Sequence, residues 1–304
     1  MDDAIASAIL QTLNYADLFD YAMTPEEVRR FLIGVPAARA QVDAALSDHA
    51  RLDGSVARID GFLTLPRRQA LVAARARLHA AAQRQMPRAR RYARWLAYLP
   101  FVRMVALTGG LAMENARDGD IDYFIVTAPG RLWLVRGLAV ALVRLARRFG
   151  DRLCPNFLLT ENALSIRDRN LYTAHEIVQM VPLYGFLVYR QMRALNEWTA
   201  AYLPNADGVA ALETEQPLNR IGEIFKRVLE RALAGGIGDR IERWEMNRKI
   251  KKLSAQVSAN ADAVLFSPEM CRGFLSGHGR RVLSEFYARV GQLPITNEQM
   301  TNER

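Results

Sequence analysis

Two short motifs at a fixed spacing constrain this chain more than any other feature of its sequence. The turn-forming triplet Thr108-Gly109-Gly110 follows the apolar run 104–107. Nine residues later, Asp120-Ile121-Asp122 leads into the apolar run 123–126. We expect both apolar runs to be buried strands, with the glycines forming a tight turn at the end of the first one.

Asp120 and Asp122 belong to one face of the second strand, because side chains alternate between the two faces of a strand. Their carboxylates then lie roughly 6.5–7 Å apart along the strand. Carboxylate oxygens together with substrate phosphates are the ligands that Mg²⁺ prefers. The glycines allow a close approach of the backbone, whose amides can face a phosphate. The pattern therefore indicates a metal–phosphate site.

The glycine turn, the spacing and the paired acids resemble the signature of the nucleotidyltransferase superfamily typified by DNA polymerase beta. That signature is a Gly-Gly or Gly-Ser turn followed, after a short loop, by Asp-x-Asp on a strand. Gly110 stands where many members have a serine, and Thr108 is the neighbouring hydroxyl. Arg117 matches a basic residue that many members carry in the intervening loop.

The resemblance implies an α+β fold with a polymerase-beta-like nucleotidyltransferase palm, in which helices flank a mixed sheet. It implies that Asp120 and Asp122 are the catalytic residues and that they hold Mg²⁺ or Mn²⁺. The substrate is then a nucleoside triphosphate, with ATP expected. Its phosphates are expected to contact Thr108, Gly109, Gly110 and Arg117.

The superfamily often places a third carboxylate on a later strand of the sheet. On the strand predicted at 154–160, Asn156 occupies the position where we expect that acid, on one face with Leu158 and Thr160. Glu161, just beyond the strand, is the alternative residue for this part of the site.

A second stretch, 170–183, is similar to a block in largely uncharacterised bacterial proteins described only as nucleotidyltransferase-domain proteins. Segments 13–21 and 196–205 resemble the same group, so the resemblance covers most of residues 5–205. It implies a fold and a chemistry but no substrate. Within the block, His175 and Glu176 either line the cleft or form a satisfied polar pair on a helix.

The first 66 residues have the order of elements of a winged helix. We expect helices over 2–20 and 37–49, and between them a helix that starts at Thr24-Pro25-Glu26-Glu27. Two Asp-Gly pairs predict a β-hairpin over 52–65. Such a unit either binds DNA or docks onto protein. The 37–49 helix lacks a basic face, which favours docking.

The middle of the chain divides into a connecting segment and a catalytic region. Residues 67–98 are arginine-rich and helical, and Pro87 predicts a break or a kink. This segment is either a solvated connection or a phosphate-facing strip. Further along we expect strands at 102–108, 121–127 and 154–160, and helices at 111–116, 131–149, 172–180 and 184–202.

The C-terminal third contains an amphipathic helix at 221–233, a basic helix at 240–256 and a last helix at 273–290. The basic helix either packs on the catalytic domain, which we favour, or binds RNA or another polyanion. The expected divisions of the chain are a winged-helix-like domain at 1–66, a linker at 67–100, the nucleotidyltransferase domain at 101–205, a helical region at 206–293 and a polar tail at 294–304.

Charge and cysteine content narrow the class of protein. The net charge is +9, and all but four of the 41 basic residues are arginine. This reflects either an arginine-rich codon usage or a surface suited to phosphates and nucleic acid. Cys154 and Cys271 are too few for a zinc site or a disulfide framework, which fits a reducing cytoplasm. The acidic N-terminus and the arginines within 132–149 argue against a signal peptide and a membrane span.

We therefore expect a cytoplasmic, metal-dependent nucleotidyltransferase. It would move a nucleoside monophosphate, with AMP expected, from a nucleoside triphosphate to a hydroxyl or phosphate of an unidentified acceptor. A small molecule, a protein or RNA fits as the acceptor. The alternative is a nucleotide-binding regulator with little turnover, whose winged helix binds DNA or protein. DNA is not the favoured partner, and no membrane contact is expected.

Overall fold

A five-stranded mixed β-sheet with helices on both faces forms the centre of the computed structural model of this protein. The structure describes residues 2–48, 52, 54–117, 119–208, 218–254, 266–272 and 278–291. Within these ranges, no helix is both long and apolar enough to cross a membrane. The mixed α+β class is the one that the sequence predicts.

In the N-terminal unit, the structure describes helices α1 (Asp2–Asp17), α2 (Pro25–Arg30) and α3 (Arg39–Ser47) and a hairpin of β1 (Ala57–Ile59) and β2 (Phe62–Thr64). The hairpin is antiparallel, and Met23 forms a bridge to Leu63. The order of elements is the predicted one, and the winged-helix assignment stays a prediction. Residue 49 of the predicted third helix and residue 53 of the predicted hairpin lie outside the described residues.

The start of α2 is confirmed and has the expected cause. The Glu27 amide donates to Thr24 Oγ1 over 3.2 Å, and the Thr24 amide donates to the Glu27 carboxylate over 2.7 Å. This capping box satisfies backbone donors that the first turn would otherwise leave unpaired. The first helix is shorter than predicted, because the chain turns after Asp17 and Asp20 takes a left-handed backbone.

Helix α4 (Ala70–Tyr98) links this unit to the sheet. The predicted break at Pro87 does not occur, since the helix continues through it for 29 residues. A proline removes one backbone hydrogen bond. Buried Ala82, Ala89 and Tyr92 flank Pro87 and pack into one hydrophobic cluster with the sheet, which holds the helix together on both sides.

The sheet has the order β6-β3-β4-β5-β7. Its strands are β3 (Val102–Thr108), β4 (Asp120–Thr127), β5 (Arg152–Thr160), β6 (Val181–Tyr184) and β7 (Met270–Arg272). Strands β4 and β5 are parallel, and the other neighbours are antiparallel. The three predicted strands are confirmed, whereas β6 and β7 were not predicted.

Short helices and one crossover connect these strands. The turn after β3 is α5 (Gly109–Ala112), which begins on the glycines rather than at residue 111 as predicted. The parallel pair β4–β5 is connected by α6 (Leu132–Arg147), close to the predicted helix at 131–149. A short 3₁₀ helix (Glu161–Ala163) and α7 (Leu171–Gln179) follow β5.

The single long helix predicted at 184–202 is wrong. Strand β6 is followed by α8 (Phe186–Leu195) and α9 (Thr199–Tyr202). Gly185 separates β6 from α8 with φ +78°, and a side chain there would collide with the Arg103 carbonyl. Buried Asn196 ends α8, because its side chain bonds the backbone of Leu164 and Ile166. These hydrogen bonds join residues 30 and 32 positions apart in the chain, so the helical periodicity of the sequence does not reveal them.

The C-terminal part adds α10 (Arg220–Leu233), α11 (Gly236–Ser254) and α12 (His278–Val290). Helix α11 packs on α6, and α12 packs on α1 and α7. The predicted helix ends at 255–256 and 273–277, and the predicted tail at 294–304, lie outside the described residues.

The two faces of the sheet bury different clusters. Ile121, Tyr123 and Ile125 of β4 pack with α4 and α6. Phe124 and Val126, on the other face, pack with α7 and α8. Asp120 and Asp122 belong by alternation to this second face, beyond the end of its hydrophobic cluster. The fold thus places Asp120 and Asp122 at the end of this sheet face, just beyond its buried hydrophobic cluster.

Candidate functional site

A cavity of about 470 Å³ lies between the N-terminal unit, the glycine turn and helix α7. Its lining includes the glycine turn and the polar residues Thr12, Asn115, Arg117, Asp120, Asp122, Cys154, Asn156, Glu176 and Gln179. Aromatic rings of Tyr15, Phe19, Tyr21, Phe31, Tyr172, His175 and His278 supply much of the remaining wall. The N-terminal unit therefore forms part of the cavity wall.

The glycine turn lies directly against Asp122. Gly109 has φ +64°, and a Cβ atom at this position would lie 2.5 Å from Asp122 Oδ2. At Gly110, a Cβ would lie 2.6 Å from the Asn115 carbonyl oxygen. Both glycines are thus required by close approach, and the first is also required by its backbone conformation. Thr108 lies opposite Asp122 in the β3–β4 register but is buried and does not line the cavity.

Asp120 and Asp122 share one face of β4 and both line the cavity, as predicted. Asn156 Nδ2 donates a 2.7 Å hydrogen bond to Asp122 Oδ1. Arg152 Nε lies 2.8 Å from Asp120 Oδ1. Each acid therefore already has a partner on β5. Arg152 is not among the predicted site residues, although its place opposite Asp120 follows once β4 and β5 are paired in parallel.

A β-bulge on β5 brings Asn156 to the acids. The register pairs Tyr123 with Pro155 but Phe124 with Phe157, so Asn156 is an extra residue in β5. Beyond the bulge, the faces of the strand are exchanged, and Leu158 packs in the cluster on the opposite face of the sheet. The prediction that Asn156, Leu158 and Thr160 share a face is therefore wrong, while the placement of Asn156 near the acids is right.

The expectation that Glu161 reaches into the site is wrong. Because β5 runs parallel to β4, Arg152 pairs with Asp120 at one end and Thr160 pairs with Thr127 at the other. Glu161 follows Thr160 and so lies at the far end of the sheet. Its carboxylate there is 3.8 Å from Arg103 Nε.

Arg117 lines the cavity but points its guanidinium at Asp20 of the N-terminal unit, with which it forms an ion pair. Burial opposes ionisation of Asp20, yet the Arg117 and Arg68 guanidinium groups hold the pKa of Asp20 below its ordinary value. The Arg117 side chain is half exposed. It is thus a cation at the cavity wall that can exchange one anionic partner for another.

Glu176 supplies a third carboxyl group to the cavity, from helix α7 rather than from the sheet. Burial, together with a smaller effect of the nearby Asp122 charge, raises the pKa of Glu176 to about 7 against the opposing effect of Arg272. The signal available in the sequence was the polar pair His175-Glu176 on an otherwise apolar helix. The packing of α7 places both side chains in the cavity wall, which corresponds to the first of the two interpretations of that pair.

His175 is a neutral ring inside the same wall. Burial lowers the pKa of His175 to about 4. Its Nδ1 lies 2.9 Å from the Leu171 carbonyl oxygen, so the proton of the neutral ring belongs on Nδ1 and Nε2 is an acceptor. The ring stacks on Tyr15 with centroids 4.0 Å apart. This contact ties α7 to α1 across the cavity.

The acids fit a hard divalent cation bound together with a phosphate. In the described part of the chain, no group of three or more His, Cys, Asp or Glu side chains is placed to hold a metal ion by itself. Mg²⁺ in proteins commonly takes one or two carboxylates and completes its shell with phosphates and water. Asp120 and Asp122 suit that mode of binding, and the cation would compete with Arg152 and Asn156 for their oxygens.

Comparisons of this chain with protein-family models, curated proteins and solved structures gave no match. Assignment to the nucleotidyltransferase superfamily therefore stays a prediction based on the motif.

Proposed function

We propose that this protein is a metal-dependent nucleotidyltransferase that transfers a nucleoside monophosphate, with AMP expected, to an acceptor hydroxyl or phosphate. The observation that carries the proposal is the convergence of Gly109, Gly110, Asp120 and Asp122 on one cavity that also holds Glu176. The glycine turn and the acids come from two different strands. Their meeting in one concave site supports chemistry more than a motif in the sequence does.

Asp120 and Asp122 are the residues proposed to hold Mg²⁺ or Mn²⁺. When bound, such a cation neutralises the triphosphate and lowers the pKa of an acceptor hydroxyl. Gly109 and Gly110 let the turn lie directly against Asp122 and the Asn115 carbonyl, because a Cβ at either position would collide with one of these groups. The Arg117 guanidinium is the group proposed to bind phosphate oxygens, to which it can donate two parallel hydrogen bonds.

For a hydroxyl acceptor, the proposed transfer forms a bond between the acceptor oxygen and the α-phosphorus. The bond from the α-phosphorus to the bridging oxygen breaks, and pyrophosphate leaves. The hydroxyl proton goes to the Glu176 carboxylate, which lines the cavity and has no hydrogen-bond partner among the described residues. A carboxylate whose pKa lies near neutrality suits a general base at physiological pH.

The test is transfer of label from each α-labelled nucleoside triphosphate, with Mg²⁺ or Mn²⁺, to candidate small-molecule, protein and RNA acceptors. Loss of a metal-binding carboxylate removes several kcal/mol of charge stabilisation, so we expect Asp120→Asn and Asp122→Asn each to lower transfer about a thousandfold. Asp43→Asn, at an exposed position of α3, is the matched control and retains full transfer. Transfer that persists in both active-site variants would show that the metal assignment is wrong.

A nucleotide-binding regulator remains the second candidate, and one observation favours it. The bulged position of β5 carries an amide, and that amide donates to Asp122 rather than adding a third acid to the sheet. Calorimetry with ATP and Mg²⁺, carried out together with the transfer assay, distinguishes the two candidate functions. Binding without transfer to any acceptor favours the regulator, and DNA retention that falls steeply with salt would assign it a nucleic-acid partner. Absence of nucleotide binding contradicts both.

A further inference from the structure

Helix α10 is amphipathic, but polar residues face the body of the protein and an apolar stripe faces outward. Its inward face is polar: Lys226 is buried and its Nζ donates to the carbonyls of Ala97 and Val102 over 2.8 and 2.7 Å. One turn later, Glu230 accepts a 2.6 Å hydrogen bond from the Phe101 amide. The helix is therefore attached to the body of the protein by polar contacts.

The outward face of α10 is a continuous apolar stripe. Ile221, Ile224, Phe225 and Val228 have the spacing i, i+3, i+4, i+7 and are 79%, 60%, 60% and 53% exposed. A helix at a protein surface normally buries such a stripe against the core. Here the core side is already filled by Lys226 and Glu230, so the stripe has no place in the fold of the described residues.

Helix α11 repeats this arrangement. Glu242 is buried, and its two oxygens accept hydrogen bonds from the amides of Trp133 and Leu134 at the start of α6, at 2.9 and 2.7 Å. Outward, Ile237, Ile241 and Trp244 are 65%, 40% and 62% exposed. Two successive helices that contact each other thus both hold buried polar residues on their inward side and expose large apolar residues outward. Leu233 of α10 and Met246 and Ile250 of α11 also pack against the core.

The exposed charges around these stripes are mostly positive. Of the acidic residues of α10 and α11, Glu242 and Glu245 are buried, Glu230 is largely buried, and the half-exposed Glu223 and Asp239 are paired with Arg227 and Arg131. The charged residues that are exposed on the two helices are Arg220, Arg227, Arg231, Arg240, Arg243, Arg248, Lys251 and Lys252. We call the exposed apolar and basic residues of α10 and α11 the cationic–apolar face.

We propose that the cationic–apolar face binds the surface of an anionic lipid bilayer. A helix with Ile, Phe and Trp on its exposed side and arginines and lysines beside them is the combination that inserts at a headgroup boundary. A second copy of the chain would bring like charges together, and a nucleic acid would leave the aliphatic stripe in water. An anionic bilayer complements both properties. The proposed association is peripheral and differs from the expectation of no membrane contact.

Vesicle co-sedimentation of the full chain tests this proposal. We expect binding to vesicles made of equal parts phosphatidylcholine and phosphatidylglycerol, no binding to phosphatidylcholine alone, and weaker binding as salt is raised. Insertion should shift Trp244 fluorescence to shorter wavelength, and Trp244→Phe should remove that shift. Replacing both Ile224 and Phe225 by Ser should weaken binding at least about tenfold, because two anchors no longer enter the lipid. Arg240→Glu should weaken it about fivefold or more.

Exposed residues of α8 provide matched controls. Leu187 is 80% exposed and Arg190 is exposed, but neither belongs to the cationic–apolar face. Leu187→Ser and Arg190→Glu should leave vesicle binding unchanged. The proposal is overturned if anionic vesicles fail to sediment the protein at low salt, or if the α8 variants weaken binding as much as the α10 and α11 variants. It is also overturned if the Ile224/Phe225 double variant instead abolishes a dimer detected by light scattering, or if the protein binds RNA but not vesicles.

Discussion

Gly109 shows at the scale of one residue how the turn and the acids depend on each other. A Cβ at this position would lie 2.5 Å from Asp122 Oδ2 and would also require a left-handed backbone at φ +64°. We expect Gly109→Ala to lower the free energy of unfolding by roughly 1 kcal/mol from the backbone alone. It should in addition abolish ATP–Mg²⁺ binding, measured by calorimetry, because Asp122 must move.

Gly130→Ala is the control for backbone strain. Gly130 has φ +67°, and a Cβ added there would meet no other atom within 4 Å. An alanine at this position therefore introduces the backbone strain without a collision with another side chain. It should lose similar stability and keep nucleotide binding. If both variants bind ATP–Mg²⁺ equally well, the contact between the turn and Asp122 has no role in the site.

Glu176 and His175 make opposite contributions to the pH dependence of stability. Burial raises the pKa of Glu176 from 4.5 to about 7, so unfolding releases a proton between these values and stability falls as pH rises. Burial lowers the pKa of His175 from 6.5 to about 4, so unfolding takes up a proton and stability rises with pH. Between pH 4.5 and 6.5 the two effects cancel.

We expect Glu176→Gln to remove the contribution by which stability falls as pH rises. Relative to the unmodified protein, its free energy of unfolding should rise by about 1.4 kcal/mol per pH unit between pH 4.5 and 6.5. Denaturant titrations across this range, without added metal or nucleotide, measure the slope. Glu197→Gln, at an exposed position, should leave the slope unchanged. Parallel curves for all three proteins would contradict the raised pKa of Glu176.

At the scale of elements, Arg75 connects helix α4 to the N-terminal unit and to the loop after the glycine turn. It is buried, and its guanidinium donates to Tyr21 Oη over 2.8 Å, to Glu27 Oε1 over 3.0 Å and to the Glu114 carbonyl over 2.9 Å. Arg75→Met leaves Glu27 without this partner. We expect it to lower the free energy of unfolding by about 3 kcal/mol in denaturant titrations.

Arg77, two positions further along α4, is exposed and provides the control. Arg77→Met should change the free energy of unfolding by less than about 0.5 kcal/mol. A similar loss in both variants would mean that Arg75 contributes only as a helix residue, and not through its contacts to the N-terminal unit.

At the scale of the whole molecule, the cavity joins the N-terminal unit to the sheet. Tyr15 of α1 stacks on His175 of α7, while Arg117 near the acids pairs with Asp20. A ligand held in this cavity should therefore stabilise both units together. At ATP–Mg²⁺ a hundredfold above its Kd, linkage adds about 2.7 kcal/mol, which for a chain of this size raises Tm by about 5 °C.

Differential scanning calorimetry checks this expectation. One unfolding transition should move to higher temperature with ATP–Mg²⁺, and the Asp122→Asn variant should show no shift. A second transition that stays in place would show that the N-terminal unit unfolds independently and does not share the ligand.

The candidate site was predictable where it depends on neighbours in the chain. Gly109, Gly110, Asp120 and Asp122 follow from a turn signal and from strand alternation, and both are local properties. Strand alternation alone predicted that Asn156 lies near the acids. The bulge that brings it there depends on the pairing of β5 with β4, which the sequence does not show. Glu161 was misplaced because its distance from the acids depends on the direction in which the two strands run.

The sequence by itself determined the α+β class, the three central strands, the glycine turn and the pair of acids, because hydrophobic periodicity and turn chemistry act over a few residues. Tertiary structure alone decided that Glu176 and the aromatic residues of the N-terminal unit face the same cavity, that Glu161 does not, and that α10 turns its apolar stripe outward. Each of these depends on which surfaces pack together, and packing joins residues that are far apart in the chain. In α10 the buried contacts of Lys226 and Glu230 oppose the direction that hydrophobicity alone predicts.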